Sequence, residues 1–367
     1  MIAGLRCDVL VMGHGAAGCL AAATLARKGL EVILVGRGTT ATELSTARIT
    51  LPERQGIAVL LRSMGREHGL YEAPAGRTQA ITNVGTIAPQ DLTSLHDWLV
   101  LPDDQVAVLG LRGDEDLDPD LTCRSLSCRV PSLKCEPYWA DPRTPTAVDA
   151  GRDGVLSQEA RKAIDALSSV LSELGQETVV VPPLFTGPLY DQALAKLEAA
   201  SGRRVREPAT PLSNPGRRLQ ACLLEHAVRS GCRFLGEREV RGMTLDGPRA
   251  SSAVVSSGLR ELTISFRASL LATGGVVGGG LAVSGEEVID PLGAFAVEGP
   301  RGPPLTKTLS TGVPHHEGHA IRADGTVASN VMVAGASLPG MSFPLGRGLG
   351  DVMASALDAA QRISEEL

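Results

Sequence analysis

The stretch C-D-V-L-V-M-G-H-G-A-A-G, residues 7–18, decides the fold of this chain. Its first seven residues form a short apolar run typical of a buried strand, and an alanine-rich helix is predicted over residues 16–28. The run E-V-I-L-V-G, residues 31–36, predicts a second strand. A strand, a helix and a second strand in this order predict an α/β fold with a doubly wound parallel sheet.

Three glycines, Gly13, Gly15 and Gly18, lie in the turn between the first strand and the helix. In a G-x-G-x-x-G turn the first glycine permits a sharp bend, the second lets backbone approach a pyrophosphate, and the third lets the helix pack on the strand. The helix N-terminus at Ala16 and Ala17 offers N–H donors and a positive dipole to phosphates. The motif indicates nucleotide binding, and a purely structural tight turn is the alternative.

The end of the second strand lacks the acidic residue that binds a ribose in many dinucleotide sites. Gly36, Arg37 and Gly38 stand there instead. Arg37 suits a phosphate better than a ribose diol, which leaves open a nucleotide 2′-phosphate, an isolated flavin phosphate, or FAD held by other donors. An exposed loop cation is the alternative for Arg37. The other candidate donors are Thr39, Thr40 and Ser45.

Composition and charge exclude several classes of protein. Apolar residues make up 43% of the 367 residues and charged residues 21%, which excludes wholesale disorder. A net charge of −6 and only two Trp, three Tyr and five Phe argue against nucleic acid as a partner. No apolar stretch is long enough to predict a membrane span and no signal peptide is visible, so we expect a cytoplasmic protein.

The texture of the sequence predicts a discontinuous architecture. Residues 1–60, 205–283 and 318–367 are predicted to form one nucleotide-binding domain, because strand and helix patterns with glycine turns recur there. Residues 61–204 are predicted to form an inserted α/β domain, and residues 284–317 a linker or cap segment.

Seven cysteines, an odd number, argue against a disulfide framework. The spacing of Cys123, Cys128 and Cys135 matches no usual iron–sulfur or zinc pattern, so no metal is predicted, although whether these thiols bind anything stays open.

Two later glycine clusters extend the argument beyond the first turn. L-A-T-G-G-V-V-G-G-G (271–280) follows a helix that opens with N-P-G-R-R-L (214–219), and V-M-V-A-G (331–335) precedes G-R-G-L-G-D (346–351). In this order the chain resembles the flavoprotein family related to the flavin subunits of fumarate reductase and succinate dehydrogenase. The resemblance implies an FAD/NAD(P)-binding Rossmann-like three-layer fold and FAD as cofactor, with FMN as the alternative.

The same resemblance implies further cofactor contacts in the two later clusters. In the closing segment, the helix N-terminus would face the flavin pyrimidine, so that its dipole stabilises the reduced, anionic flavin. The implied contacts are Thr273, Gly274, Gly335, Gly348, Gly350 and Asp351.

Other segments are similar to a flavin-bearing, non-catalytic component of anaerobic glycerol-3-phosphate dehydrogenases. They are V-G-R-G-T-T-A-T-E-L-S (35–45), A-I-T-N-V-G-T (80–86), V-A-V-L-G-L-R-G (106–113) and S-A-L-D-A-A-Q-R-I (355–363). The resemblance implies a flavin subunit that works with a catalytic flavoprotein subunit and an iron–sulfur subunit, peripheral to the inner membrane. Such a complex oxidises a small substrate, sn-glycerol 3-phosphate, to dihydroxyacetone phosphate and passes the electrons to quinone.

Two alternatives remain open at the level of sequence. One is an electron-relay or scaffold subunit without substrate chemistry of its own, and the other is a flavin reductase of activated double bonds. Dicarboxylate chemistry is disfavoured, because Pro339-Gly340-Met341-Ser342-Phe343 stands where the flavoprotein family usually has an acidic residue.

Candidate catalytic groups are few. Oxidation of an alcohol needs a base for the hydroxyl proton and, for a phosphorylated substrate, a cation. The histidine cluster V-P-H-H-E-G-H supplies His315, His316 and His319 as candidate bases, with surface hydrogen bonding as the alternative. Arg347, in the closing glycine turn, is the candidate cation near flavin or substrate.

Overall fold

A computed structural model describes residues 4–51, 78–94, 96–100, 105–141, 147–258, 260–299, 304–341 and 348–367. The chain forms two compact units, of which the first comprises Met1–Thr42, Pro52–Ile57 and Leu223–Leu367, and the second Glu43–Leu51 and Ala58–Cys222. These bounds differ from the division expected from sequence. The second unit extends past residue 204 into a helix, and residues 284–317 fall within the first unit.

The described residues form short strands and helices throughout. In chain order the strands are β1 (Gly4–Arg6), β2 (Val9–Met12), β3 (Val32–Val35), β4 (Thr78–Ile81), β5 (Ile87–Gln90), β6 (Gln105–Leu111), β7 (Lys134–Ala140), β8 (Val148–Asp149), β9 (Gly151–Arg152), β10 (Val155–Leu156), β11 (Thr178–Val180), β12 (Phe185–Thr186), β13 (Arg204–Arg206), β14 (Arg233–Leu235), β15 (Glu239–Asp246), β16 (Arg249–Ser257), β17 (Arg260–Ser265), β18 (Ala268–Leu271), β19 (Ala282–Ser284), β20 (Glu287–Ile289), β21 (His315–His316), β22 (His319–Ile321) and β23 (Val327–Val333). The helices are α1 (Ala16–Arg27), α2 (Pro119–Arg129), α3 (Gln158–Ser172), α4 (Tyr190–Ser201), α5 (Asn214–Arg229), α6 (Pro304–Leu309) and α7 (Leu349–Glu366). None of the helices in these ranges is long and apolar enough to cross a membrane.

The first unit is built on a seven-stranded sheet of order β14-β3-β2-β18-β23-β22-β21. The strands from β14 to β23 run parallel, and β22 and β21 continue the sheet antiparallel. Helices α1 and α7 pack together with this sheet, and the sheet β1-β17-β16-β15 contributes to the core on its other face. This arrangement confirms the Rossmann-like three-layer fold expected from the sequence.

Alternation along the strands builds the core between the two sheets. Leu10 and Met12 of β2 and Ile33 and Val35 of β3 share one buried cluster with residues of the second sheet. The second sheet contributes Ala253, Val255 and Ile264. Because β2 and β3 are buried on both faces, their sequences are continuously apolar, as is typical of parallel strands.

The second unit carries the sheet β13-β11-β6-β7, in which all strands are parallel. Ala107, Leu109 and Leu111 of β6 pack in one cluster with α3 and α4, while Val106 and Val108 pack with α2 in another. The expected α/β character of the insert is therefore present.

Helix α2 was missed by the sequence analysis, which predicted only an acidic loop followed by an irregular stretch. Asp118 caps this helix, since its Oδ1 accepts a hydrogen bond of 2.9 Å from the N–H of Leu121. Pro119 occupies the first turn, where its missing N–H costs nothing. The Asp-Pro pair was the local signal for a helix start.

Candidate functional site

The glycine turn between β2 and α1 brings backbone close to backbone. Gly13 adopts a φ of +103°, and a Cβ there would overlap the carbonyl oxygen of Ala272 at the end of β18. A Cβ on Gly18 would overlap the carbonyl oxygen of Gly13, so only glycine lets α1 begin this close to its strand. The turn therefore has the close packing that the motif predicts.

The N-terminus of α1 presents its amides without a charged cap. Gly15 is the N-cap residue and forms no side-chain cap, and the first turn contains no acidic side chain. The N–H of Ala16 donates to Thr42 Oγ1 at 2.9 Å. The positive end of the helix dipole thus remains available to an anion, with Thr42 as a neutral neighbour.

This N-terminus lies in a cleft of about 570 Å³ in the first unit, a volume within the usual range of cofactor sites. The loop after β3, the loop after β18 and the start of α7 also line the cleft. Ten of the sixteen predicted cofactor contacts are among its lining residues. They are Gly13, Gly15, Ala16, Ala17, Arg37, Gly38, Thr39, Thr40, Thr273 and Gly274.

The other predicted contacts lie elsewhere. Gly18 and Gly335 are buried beneath the lining, where a Cβ on Gly335 would come 2.6 Å from the Cβ of Ala17. Gly348, Gly350 and Asp351 form the beginning of α7, of which Leu349 and Val352 reach the cleft. Ser45 belongs to the second unit. Arg347 lies outside the described residues.

Glu239, a cleft-lining residue that the sequence analysis missed, supplies an acid at the end of β3. Its Oε2 lies 2.8 Å from Arg37 Nη1 and 3.0 Å from Arg241 Nη2. Arg37 therefore does not stand alone at the position where a ribose-binding carboxylate is usual. Since Glu239 is on β15, 202 residues from Arg37 in sequence, no local pattern could have revealed it.

The opposite wall is held by hydrogen bonds within the two later glycine clusters. Ser337 Oγ accepts a hydrogen bond of 2.9 Å from the N–H of Gly274 and so joins the loop after β18 to the turn after β23. Asp290 orders the adjoining segment, because its carboxylate accepts hydrogen bonds from the N–H groups of Leu292, Ala294 and Phe295. This wall presents backbone and apolar groups to the cleft.

The predicted histidines do not line the cleft. His315 and His316 are exposed on β21 and His319 lies on β22, at the edge of the seven-stranded sheet. His315 Nδ1 accepts from the N–H of Gly318 at 3.1 Å, and His319 Nε2 lies 3.1 Å from Glu366 Oε1. These are the contacts of surface histidines, so their catalytic role stays a prediction.

Two of the three clustered cysteines meet in the second unit. A hydrogen bond from Cys123 lowers the pKa of the Cys135 thiol, and the same contact, together with burial, raises the pKa of Cys123. Cys128 is exposed. Within the described ranges, no group of three or more His, Cys, Asp or Glu side chains is arranged to hold a metal ion.

A dinucleotide-type glycine turn, an uncapped helix N-terminus and a deep cleft at the ends of parallel strands define a nucleotide-binding oxidoreductase fold. Residues 8–348 match the family described as "FAD binding domain", and the chain belongs to that family. It is an FAD-dependent oxidoreductase, and FAD is therefore its cofactor.

Solved structures with similar folds include two steroid dehydrogenases. The 3-ketosteroid delta1-dehydrogenase from Sterolibacterium denitrificans is 10% identical with a TM-score of 0.46, and the match covers 99% of this chain and 100% of that one. The 3-ketosteroid-delta4-(5alpha)-dehydrogenase from Rhodococcus jostii RHA1 is 11% identical with a TM-score of 0.40, covering 97% of each chain.

The myxobacterial chondrochloren halogenase CndH is 12% identical with a TM-score of 0.31. The match covers 74% of this chain but only 38% of the halogenase. At such identities the similarity concerns the fold, and the substrates of these three enzymes are not transferred to this chain.

Proposed function

We propose that this chain is the flavin subunit of an anaerobic dehydrogenase complex that oxidises sn-glycerol 3-phosphate to dihydroxyacetone phosphate. One observation carries the proposal. The segment 35–45 is the most specific part of the resemblance to glycerol-3-phosphate dehydrogenases, and its residues 35–42 line the FAD cleft. Arg37, the residue that replaces the usual acid, lies within that segment and is held by Glu239.

FAD supplies an acceptor for two electrons when it is bound. The residues of this chain bind and orient it: the N-terminus of α1 receives its phosphates, and Thr39 and Thr40 offer hydroxyl donors along the same wall. Leu349 and Val352 bring the beginning of α7 to the cleft, where a helix dipole favours added negative charge.

A second version of the proposal, in which the flavin only relays electrons, is favoured by the state of the acidic side chains. Among the described lining residues, Glu239 is paired with Arg37 and Arg241, and Asp290 binds three backbone N–H groups. Both carboxylates are thus occupied, and a base for a substrate hydroxyl would come from a partner. In this version a catalytic flavoprotein subunit oxidises the substrate, and an iron–sulfur subunit receives the electrons at the membrane.

Anaerobic spectroscopy on the FAD-loaded chain tests both versions. Bleaching of the flavin by sn-glycerol 3-phosphate alone supports substrate oxidation by this chain, with glycerol and the opposite enantiomer as controls. Bleaching only after addition of the catalytic subunit supports the relay. A flavin that responds to neither, yet is reduced by other donors, would contradict the proposed function in both versions.

A further inference from the structure

The second unit contains a small cavity of about 40 Å³ that shares no residue with the FAD cleft. By volume it holds roughly three water molecules, which is the size of a carboxylate or phosphate group. Its lining combines one arginine from the segment after residue 45 with polar and aromatic side chains of the insert. The residues used below are Arg48, Asp97, Trp98, Tyr190, Glu207 and Arg218.

Arg48 brings an uncompensated positive charge to this cavity. Its Nε and Nη1 atoms are buried and have no hydrogen-bond partner within the described part of the chain. No described carboxylate oxygen comes within ion-pair distance of its guanidinium, and burial lowers the pKa of Arg48. Buried cations without a partner are costly, so native proteins rarely keep them without a ligand.

The backbone fixes Arg48 in place. Ala47, the residue before it, adopts a φ of +55°, a left-handed conformation that costs a non-glycine residue about 1 kcal/mol or more. Ile49, the residue after it, is fully buried and forms a bridge with Leu92. The strained residue on one side and the anchored residue on the other hold the arginine at the cavity.

The other charged groups of the cavity are already matched. Arg218 and Glu207 form a buried, bidentate ion pair at 2.5 and 3.0 Å, and the Arg218 guanidinium lies 4.2 Å above the Tyr190 ring. Asp97 Oδ2 accepts hydrogen bonds from Gln90 Nε2 at 2.9 Å and from the N–H of Ser94 at 2.8 Å. Arg48 is therefore the group whose charge awaits a counterpart.

We propose that this cavity is a binding site for a small oxyanion, the carboxylate or phosphate group of a metabolite, which Arg48 holds through its buried N–H groups. Arginine is suited to this task because its planar, permanently charged guanidinium forms strong hydrogen bonds to carboxylate and phosphate oxygens. The proposal rests on the second unit alone and is independent of the proposed substrate.

The test uses the full FAD-loaded chain and three variants in buffer free of oxyanions. Inorganic phosphate, acetate and sn-glycerol 3-phosphate are titrated, with sodium chloride at matched ionic strength, while Trp98 fluorescence and the thermal midpoint are recorded. Arg48→Met removes the charge at similar volume, and Arg48→Lys keeps the charge without the planar group. Arg124→Met, at an exposed position of α2, is the matched control.

We expect saturable binding of at least one oxyanion to the wild type and to Arg124→Met. Arg48→Met should bind it at least about tenfold more weakly, because a charge-assisted hydrogen bond contributes that much, and Arg48→Lys should fall between. Without anion, Arg48→Met should be as stable as the wild type or more so, since it removes an unpaired buried charge. Phosphate and acetate distinguish a tetrahedral from a planar ligand.

Three outcomes would overturn the proposal. The first is equal anion binding by the wild type and Arg48→Met. The second is a lower thermal midpoint or failure to fold of Arg48→Met without anion, which would show that Arg48 serves the fold. The third is a response confined to flavin-free protein, which would make the cofactor's own phosphate the occupant.

Discussion

Arg37 Nη1 lies 2.8 Å from Oε2 of Glu239, a residue 202 positions further along the chain. Both side chains are partly exposed, at 58% and 40%, and both residues line the FAD cleft. An exposed ion pair contributes little to stability. The pair has more significance as a placement of charge, because it puts a carboxylate where the strand after α1 would usually carry one.

Replacing Glu239 by Gln is therefore expected to weaken FAD binding about tenfold, the loss that corresponds to one or two charge-assisted hydrogen bonds. The free energy of unfolding of the flavin-free protein should change by less than about 0.5 kcal/mol. Flavin fluorescence titration of the flavin-free chain measures the affinity, and urea denaturation measures the stability. Glu261→Gln, an exposed acid on β17, is the control. Unchanged FAD affinity in Glu239→Gln would show that the pair only orders the surface.

This pair also shows where prediction from sequence ends. The glycine turn at residues 13–18 was predictable, because its conformation depends on residues within one strand, one turn and one helix. The absence of an acid beside Arg37 was equally visible. That the acid comes from β15 depends on how the second sheet packs on the first, and no spacing in the sequence encodes that contact.

Arg48 makes the same point from the other side. In the sequence it is one of many arginines in a polar segment. Its burial results from the bridge between Ile49 and Leu92, which joins segments about forty residues apart. Helix α2 is a different case, since its capping residues Asp118 and Pro119 were adjacent in sequence and a closer inspection of that pair could have found it.

Gly13→Ala tests the close approach at the glycine turn. The added methyl would overlap the carbonyl of Ala272, and the φ of +103° disfavours any residue with a side chain. We expect a loss of about 3 kcal/mol or more in the free energy of unfolding, together with loss of FAD binding. Urea denaturation and the flavin content of the purified protein provide the two measurements.

Gly242→Ala is the matched control for that substitution. Gly242 lies on β15 of the same unit, and a Cβ there has no neighbour within 4 Å. This variant should retain FAD and lose little stability. If both glycine variants behaved alike, the close contact between the turn and β18 would not be the cause.

The ion pair between Glu207 and Arg218 is expected to stabilise the second unit in proportion to its burial. Side-chain exposures of 7% and 5% mean that removing one partner leaves the other charge without compensation. Glu207→Gln should therefore cost about 3–5 kcal/mol of unfolding free energy. The double variant Glu207→Leu with Arg218→Met should recover much of this loss. A double variant as unstable as the single one would mean that the two side chains stabilise the unit independently.

Asp97 gives the second unit a pH dependence of known sign. Desolvation raises the pKa of its carboxyl to about 6, against the opposing effects of the hydrogen bonds from Ser94 and Gln90 and of the charge of Arg218, while Glu207 adds to the increase. In the unfolded chain an aspartate titrates near ~3.9. Between these two values the folded protein holds a proton that the unfolded chain has lost, so stability falls as the pH rises through this window. Above about pH 6 the whole cost of the buried charge is present.

Asp97→Asn removes that cost and keeps an oxygen to accept the two hydrogen bonds. The variant should be more stable than the wild type by roughly 2 kcal/mol at pH 8, and this advantage should shrink as the pH falls and vanish below ~pH 4, where the wild-type carboxyl is protonated in both states. Urea denaturation of both proteins at several pH values gives the difference, in which the titrations of all other groups largely cancel. An advantage that grew as the pH fell would have the opposite sign and would mean that Asp97 is stabilised as a carboxylate in the folded protein.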